Sequence, residues 1–403
     1  MGYQTLARHV NELRVLTVLR TEGPTSRADM ARRLALTPAT ITNVVDDLSQ
    51  RELVMESAGP RRVANRKELG RPGVAIAINP GGAYFLGAEI GVGIMRFALL
   101  NMAAQTVETA KIPISESMTA TDAVDAIRSH EKSLERKLKY RRRIRAIGVT
   151  VPGLVRSDGF VVHLPILGWS DVNLLGILQD AVKLDAMVEN NANAAALGAA
   201  YTVPALPQDC IVYLKLGTGC GGAVIVNGRL FRGASGTAAE LGHIRVTENG
   251  PICSCGQRGC LETWVNIAAL ARAYDDSAYL SVDDLALLPA LVAERSGTGD
   301  KAASAAIESV FLHLNNALRT LVNTFNPSTI ILGGAMLPVL QAIIDRLQTS
   351  VAKSIVPGMR PPELCLSVLG EFECAIGAAA IAHHHAFGVP NVSTAAESVS
   401  VFG

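Results

Sequence analysis

Residues 240–262 run Glu240-Leu-Gly-His243-Ile-Arg-Val-Thr-Glu-Asn-Gly-Pro-Ile-Cys253-Ser-Cys255-Gly256-Gln-Arg-Gly259-Cys260-Leu-Glu262. One imidazole and three thiolates make a complete four-ligand set for a tetrahedral zinc ion, and Gly256 and Gly259 give the backbone freedom to wrap around it. No position is left for a substrate water, so the sequence predicts a structural zinc held by His243, Cys253, Cys255 and Cys260. Glu240 precedes His243 by three residues, the spacing that places two side chains on one face of a helical turn. Glu262 follows the last thiol by two. Two carboxylates and an imidazole at one metal-stapled corner suit a polyhydroxylated ligand, His243 ligating the ion through one ring nitrogen and meeting a hydroxyl with the other.

The chain around this corner has 403 residues, 49% hydrophobic and 18% charged, which predicts two or three domains. A net charge of +1 excludes a wholly cationic nucleic-acid coat and argues against a disordered chain, so any DNA binding must be local. The charge is indeed uneven: residues 1–78 hold 12 Lys and Arg against 8 Asp and Glu. The opening Met-Gly-Tyr-Gln-Thr-Leu-Ala-Arg-His-Val lacks the apolar core of a signal peptide, and no apolar run reaches the length of a membrane span, so a cytoplasmic protein is expected. Seven cysteines, an odd number, do not suggest a disulfide framework; Cys210, Cys220, Cys365 and Cys374 lie in apolar stretches and are expected as free thiols.

The basic segment carries three helical patterns. Val10, Leu13, Leu16, Val18 and Leu19 mark a helix from Val10 to Arg20, which Gly23-Pro24 terminates. Ser26 with Asp29 caps a second helix, with Ala28, Met30, Ala31 and Leu34 expected on one apolar face. Thr37 as N-cap and Pro38 at the first helical position open a third, whose Ile41, Val44, Val45 and Leu48 form the buried stripe. Pro38, Ala39, Thr40, Thr42 and Asn43 are left on its outer N-terminal face. In a helix-turn-helix that face meets base edges, where Thr and Ala methyls touch thymine and Asn bonds adenine.

Two strand-like runs, Leu53-Val54-Met55 and Val74 to Ile78, flank Arg61, Arg62, Arg66, Lys67 and Arg71. This predicts a wing whose cations neutralise phosphates or enter a minor groove. Asn79-Pro80-Gly81-Gly82 is expected to be a hinge, and α/β alternation follows it. An amphipathic helix is predicted over 119–140, its Ala123, Val124, Ile127, Leu134 and Leu138 apolar, the arginines at 141–145 forming a solvated C-terminus. His383, His384 and His385 point in different directions on a helix and do not suggest a metal site. Leu216-Gly-Thr-Gly-Cys220-Gly-Gly222 follows a strand, a turn that could cradle an anion or merely serve geometry.

With these residues in place, the chain resembles the ROK family of repressors and sugar kinases over nearly its whole length. The resemblance is carried by Val149-Thr-Val-Pro152-Gly153, Gly168-Trp169-Ser-Asp171-Val172, Glu189-Asn190-Asn191-Ala-Asn193, the 216–222 loop, Arg232-Gly233 through His243, the cysteine cluster, Asn326-Pro327 and Ile331-Leu-Gly333-Gly334. It implies an N-terminal winged helix-turn-helix (1–78) followed by a two-lobed α/β actin-like domain. Lobe 1 would span 79–195 plus about 375–390, and lobe 2, with the zinc corner, 196–374. It also implies a monosaccharide or sugar-derivative ligand bonded by Asn190, Asn191, Glu240, His243 and Glu262.

Two departures from the kinases of this family bear on activity. The general-base Asp of their Glu-Asn-Asp-Ala-Asn motif is Asn191 here, and an amide cannot take the hydroxyl proton. Their Asp-x-Gly-Gly-Thr-Lys phosphate loop is replaced by Glu89-Ile-Gly91-Val-Gly93-Ile94. Positioning and charge stabilisation are nearly all the catalysis phosphoryl transfer has, so losing both predicts a sensor and no enzyme. The expected protein is a sugar-responsive repressor that binds palindromic operator half-sites as a homodimer or dimer of dimers. The alternative is a sugar kinase with a DNA-binding appendage.

Overall fold

The computed structural model describes residues 3–57, 74–91, 93–115, 117–137, 139–203, 206, 209–274 and 282–388. Its N-terminal unit is α1 (Tyr3–Glu22), β1 (Thr25–Ser26), α2 (Arg27–Leu34), α3 (Pro38–Gln50), β2 (Val54–Ser57) and β3 (Ala75–Ile78). The caps are those expected: the Ser26 hydroxyl accepts from Asp29 N, and Thr37 accepts from Thr40 N at 3.1 Å ahead of Pro38. Ile41, Val44, Val45 and Leu48 are buried on α3. β3 pairs antiparallel with both β1 and β2, which makes the three-stranded sheet of a winged helix. The connection carrying Arg61, Arg62, Arg66, Lys67 and Arg71 lies outside the described residues. Two expectations need correction here. α1 starts well before Val10, and Ala28 is exposed, because the buried face of α2 is carried by Met30, Ala31 and Leu34 alone.

The stretch expected to be a hinge is pinned instead. Asn79 donates through its backbone N to Leu53 O at 3.0 Å and through Nδ2 to Glu52 O at 2.7 Å. Arg143 holds Gly81 O at 2.7 Å and the Glu52 carboxylate at 3.0 Å, so this arginine is not merely solvated. A Cβ on Gly82 would sit 2.3 Å from Glu52 O, which is why only glycine fits there. Beneath this seam one apolar cluster runs through Val15, Leu16, Leu19, Ile41, Val45 and Ile78 into Phe85, Met102, Ala146 and Ala382. The winged helix therefore shares its core with the body of the protein.

That body begins with β4 (Tyr84–Ile90), β5 (Ile94–Asn101) and β6 (Thr106–Pro113), an antiparallel meander, then α4 (Ala120–Glu135) and β7 (Ile144–Val151). α4 opens with a capping box between Thr119 and Asp122 and buries Ala123, Val124, Ile127 and Leu134. It ends at Glu135, short of the predicted 140, and Leu138 lies outside the described residues. A small sheet of β8 (Leu154–Val155), β9 (Val161–Leu164) and β10 (Trp169–Val172) precedes α5 (Leu174–Ala181) and β11 (Asp185–Asn190). The main sheet has the order β11-β7-β4-β5-β6, with β7 parallel to both neighbours.

The chain then repeats the plan. After α6 (Asn191–Thr202) come β12 (Cys210–Leu216), β13 (Cys220–Val226) and β14 (Arg229–Leu230), then α7 (Glu262–Val265), α8 (Ile267–Tyr274), α9 (Val282–Gly297) and α10 (Lys301–Phe325). β15 (Thr329–Gly333), α11 (Leu337–Ser354), β16 (Glu363–Leu366) and α12 (Glu373–Phe387) complete it. The second sheet has the order β14-β13-β12-β15-β16 and, like the first read from its β6 edge, is antiparallel in one half and parallel in the other. Two such sheets in one chain are the two-lobed actin-like architecture that the resemblance implied.

Between the sheets lie α6 and α12. Ala195, Ala196 and Ala199 of α6 pack on Ile211, Tyr213, Ala223 and Ile225 of the second sheet, while Ala375, Ala379 and Ala380 of α12 pack on Ala98 and Leu100 of the first. The helices meet through glycine: a Cβ on Gly377 would come 1.9 Å from Ala194 O. The expected lobe boundary at 195/196 falls inside α6. His383 is buried on α12, with His384 and His385 exposed. Among the described residues no helix is long and apolar enough to cross a membrane.

Candidate functional site

The second lobe carries the cysteine corner. Glu240 ends an irregular segment and leads into a single 3-10 turn, Leu241–His243, which sets the Glu240 carboxylate 4.0 Å from His243 Nε2. The other ring nitrogen, Nδ1, lies 3.3 Å from Cys253 Sγ. Cys255 and Cys260 sulfurs are 3.7 Å apart, and all four donor atoms lie within 4.8 Å of one another. Tetrahedral bonds of about 2.3 Å to sulfur give an S–S edge of about 3.8 Å, so the donor set fits a metal ion in both chemistry and spacing. The backbone closes around it as the glycines predicted: Gly256 and Gly259 have φ of +84° and +74°. Burial and the neighbouring thiols push the Cys260 thiol up, while a backbone hydrogen bond at Gln257 pulls the exposed Cys255 thiol down. Such a shared cluster is deprotonated by a bound cation.

Glu262, at the start of α7, points into the same corner. One carboxylate oxygen accepts from the backbone N of Cys220 at 3.0 Å, and the other accepts from Ser254 Oγ at 3.2 Å. The glycine loop after β12 is thereby tied to the corner. Gly217 N is also satisfied within the loop, by Gly219 O at 2.9 Å. Two of the loop's backbone N–H groups are thus spoken for by the chain itself.

Asn190 and Asn191 stand at the junction of β11 and α6. Asn190 is the helix N-cap, its Oδ1 accepting from Ala192 N and Asn193 N, and its Nδ2 donating to Gly153 O at 2.8 Å. Asn191 is 6% exposed; its Oδ1 accepts from Thr150 Oγ1 at 2.6 Å, and its Nδ2 faces Glu89 Oε1 at 3.4 Å. The start of β13 separates this pair from the metal corner by one layer. A Cβ on Gly221 would touch Ala192, and one on Gly222 would overlap Leu241. Glu262 itself, and Ala192 and Leu241, the chain neighbours of Asn191 and Glu240, therefore lie against one short stretch, Cys220–Gly222.

Three further residues, none predicted as functional, support the asparagine pair. Glu189 accepts from Asn190 N at 2.9 Å, Asn193 Nδ2 at 3.0 Å and Arg232 Nη2 at 2.5 Å. Arg232 begins the segment that delivers Glu240, and Thr150 holds Asn191. Their only signal in the sequence was membership in the quoted motifs. In the first lobe Glu89 also lies 3.5 Å from Arg96 Nη1, while its Oε2 is buried with no hydrogen-bond partner among the described residues; Val92 lies outside the described residues.

On the N-terminal unit, Pro38, Ala39, Thr42 and Asn43 are exposed and Thr40 half-buried. The Thr42 hydroxyl donates to Pro38 O at 2.9 Å. Among the described residues nothing partners the Asn43 amide. The four wing arginines, Arg61, Arg62, Arg66 and Arg71, lie outside the described residues.

Known proteins match this architecture along its length. The ROK family model covers residues 85–385, and the MarR family model covers residues 10–61. The chain is 27% identical to the xylose repressor of Bacillus spizizenii over 390 residues, 95% of this chain and 97% of that one. It is 27% identical to the DNA-binding transcriptional dual regulator NagC of Escherichia coli K12 over 393 residues, 92% and 93% of the two chains. A crystal structure of a ROK family transcriptional regulator, a homologue of the E. coli MLC protein, superposes with a TM-score of 0.78 at 24% identity and covers 95% of this chain and 98% of that chain. An N-terminal winged helix of the MarR kind is followed by the actin-like body, and the chain belongs to the ROK family.

Proposed function

We propose that this protein is a sugar-responsive DNA-binding repressor with no kinase activity. The observation that carries this reading is one chain holding both an exposed helix face at Pro38–Asn43 and an intact Glu240–His243–Glu262 corner. Asn190, Asn191, Glu240, His243 and Glu262 take the hydroxyls of a monosaccharide or its derivative. Zinc is the metal assigned to His243, Cys253, Cys255 and Cys260, and its role is to hold the corner in shape. Pro38, Ala39, Thr40, Thr42 and Asn43 read base edges, and Arg61, Arg62, Arg66 and Arg71 neutralise phosphates. The functional segments are 1–78, then 79–195 with about 375–390, then 196–374. A pair of chains, or two pairs, presents two recognition helices to palindromic half-sites in the cytoplasm. Similarity to the xylose and N-acetylglucosamine repressors supports the regulatory class.

Phosphoryl transfer lacks support at both ends of the cleft. Asn191 cannot accept a proton from a sugar hydroxyl, and the 89–94 loop lacks the second glycine, the threonine and the lysine of the kinase motif. Ligand binding acts on DNA by favouring one lobe arrangement over another.

A thermal-shift screen of the zinc-loaded protein tests this against D-xylose, D-glucose, N-acetyl-D-glucosamine and their phosphates, each with and without magnesium-ATP. A ligand at about 100 times its Kd adds about 2.7 kcal/mol, which is readily visible. Stabilisation by a sugar with nothing added by ATP is the expected result. Sugar-dependent ADP formation above a heat-killed control would overturn it.

A further inference from the structure

The last turn of α1 carries Arg20. Its guanidinium lies 4.0 Å above the ring of Tyr201, and its Nη1 donates to the Tyr201 carbonyl at 3.2 Å. Tyr201 belongs to the last turn of α6, the helix whose N-cap is Asn190 and whose first residue is Asn191. Twelve helical residues make a rod of about 18 Å, with the amides of the ligand site at one end and Arg20 at the other.

The Tyr201 hydroxyl is itself fixed. It lies 2.8 Å from His383 Nδ1, and His383 Nε2 lies 2.9 Å from the Met102 carbonyl. A carbonyl can only accept, so Nε2 carries the hydrogen and Nδ1 accepts from Tyr201. One chain of contacts, Arg20–Tyr201–His383–Met102, thus joins the DNA-binding unit, α6, α12 and the turn that follows β5.

The rest of the DNA-binding unit is seated elsewhere, on Phe85, Met102, Ala146 and Ala382 of the first lobe and α12. Arg20 supplies a side-chain hydrogen bond from that unit to α6. α6 packs on the second sheet and α12 on the first, so a rotation of one lobe against the other is a movement of α6 along α12. That movement shifts Tyr201 beneath Arg20 while the rest of the unit stays with the first lobe. A cavity of about 10 Å³ beside Arg20, lined also by Leu16, Thr17, Ile78, Met102, His383 and Phe387, is no larger than one water molecule.

We propose that the Arg20–Tyr201 stack is the contact through which sugar occupancy of the cleft is passed to the DNA-binding unit. The proposal rests on the sensor reading above, and identifies where its two sites are coupled. Arg20 touches neither the sugar site nor the DNA-reading face, and therefore sets how strongly one ligand affects the other without setting either affinity.

The test uses the full-length zinc-loaded protein, a duplex selected from a random library by the wild type, and D-xylose, D-glucose and N-acetyl-D-glucosamine as probes. Duplex Kd by fluorescence anisotropy, with and without sugar, gives a coupling ratio; calorimetry gives sugar Kd. Coupling ratios of regulators are typically 5- to 150-fold, and Arg20→Gln is expected to bring the wild-type ratio below about twofold. Sugar Kd and sugar-free duplex Kd should stay within about threefold. Arg20→Lys, which keeps a cation over the ring, should restore part of the ratio. If Arg20→Gln does not fold, Tyr201→Leu is read in its place with the same expectation. A full ratio in the neutral variant, or a Lys variant as defective as the Gln one, overturns the coupling and leaves the sensor reading standing. A wild type whose duplex affinity changes with none of the three sugars overturns the sensor reading, and the coupling with it.

Discussion

Thr150 of β7 and Asn191, the first residue of α6, are bonded side chain to side chain at 2.6 Å in the buried interior. The amide oxygen at the position of the kinase base thus accepts one donor from the chain, and its nitrogen faces Glu89 at 3.4 Å. Asn191→Asp would put a second carboxylate against Glu89. Two carboxylates at such a distance cannot both ionise easily, so the introduced group would titrate above the usual carboxylate range. A raised folded-state pKa contributes stability below the unfolded value that is lost as pH rises through the folded one. The expected outcome is a variant with no gained ADP formation whose loss of stability grows from pH 4 to pH 8, reaching about 1–3 kcal/mol. Urea unfolding at several pH values checks it, and a pH-independent difference would contradict it.

Cys255 is the exposed member of the metal cluster, whereas Cys253 and Cys260 are buried. Cys255→Ser should release the ion, measured by elemental analysis, and abolish the sugar-induced thermal shift before it weakens duplex binding. The reason is that metal free energy here is local folding free energy of the 240–262 corner. Full sugar affinity in a verified metal-free variant would remove the shaping role.

The outer face of α3 separates base reading from charge. Asn43 is exposed, so Asn43→Ala should leave stability unchanged and lose about 1–3 kcal/mol of discrimination between the selected duplex and its single-base variants. Arg62→Ala and Arg71→Ala should instead weaken all duplexes alike and reduce the salt dependence by about one phosphate contact each. Equal losses on selected and random DNA for Asn43→Ala would strip it of a reading role.

Burial, with Arg20 adding to it, holds the His383 imidazole down to about 4. An unfolded histidine titrates near pH 6.5, so between about 6.5 and 4 the unfolded chain binds a proton that the folded chain does not. The stability is full above that window and falls as pH drops through it, by about 3 kcal/mol for this one group. Denaturant titrations of the wild type and of His383→Gln should differ in slope across this window. Parallel curves would show that His383 takes up its proton without unfolding.

The legible parts of this chain were those in which local chemistry and packing coincide. Thr37, Pro38 and the Ile41, Val44, Val45, Leu48 stripe fixed α3, because a cap and a helical period are both short-range. His243 with Cys253, Cys255 and Cys260 was equally plain, since few roles other than metal binding need that donor set. β1, two residues long, left no alternation to see. Asn79–Gly82 looked loose because glycine and proline mark turns, yet the partners that pin it, Glu52 and Arg143, come from other parts of the chain. Glu189, Arg232 and Thr150 escaped for the same reason: their value lies in contacts across 40 or more residues of sequence.

The apolar seam from Leu16 and Val45 to Phe85, Ala146 and Ala382 also defines what can be exchanged between relatives. A reading head cut at residue 78 would carry away a greasy underside with nothing beneath it and leave a matching bare patch on the body. Such a fragment would clump before it could be assayed. A working chimera must inherit Phe85, Met102 and Ala146 with the head, or redesign them to match, so a new operator preference is acquired more readily by changing letters on the face of α3 than by swapping modules.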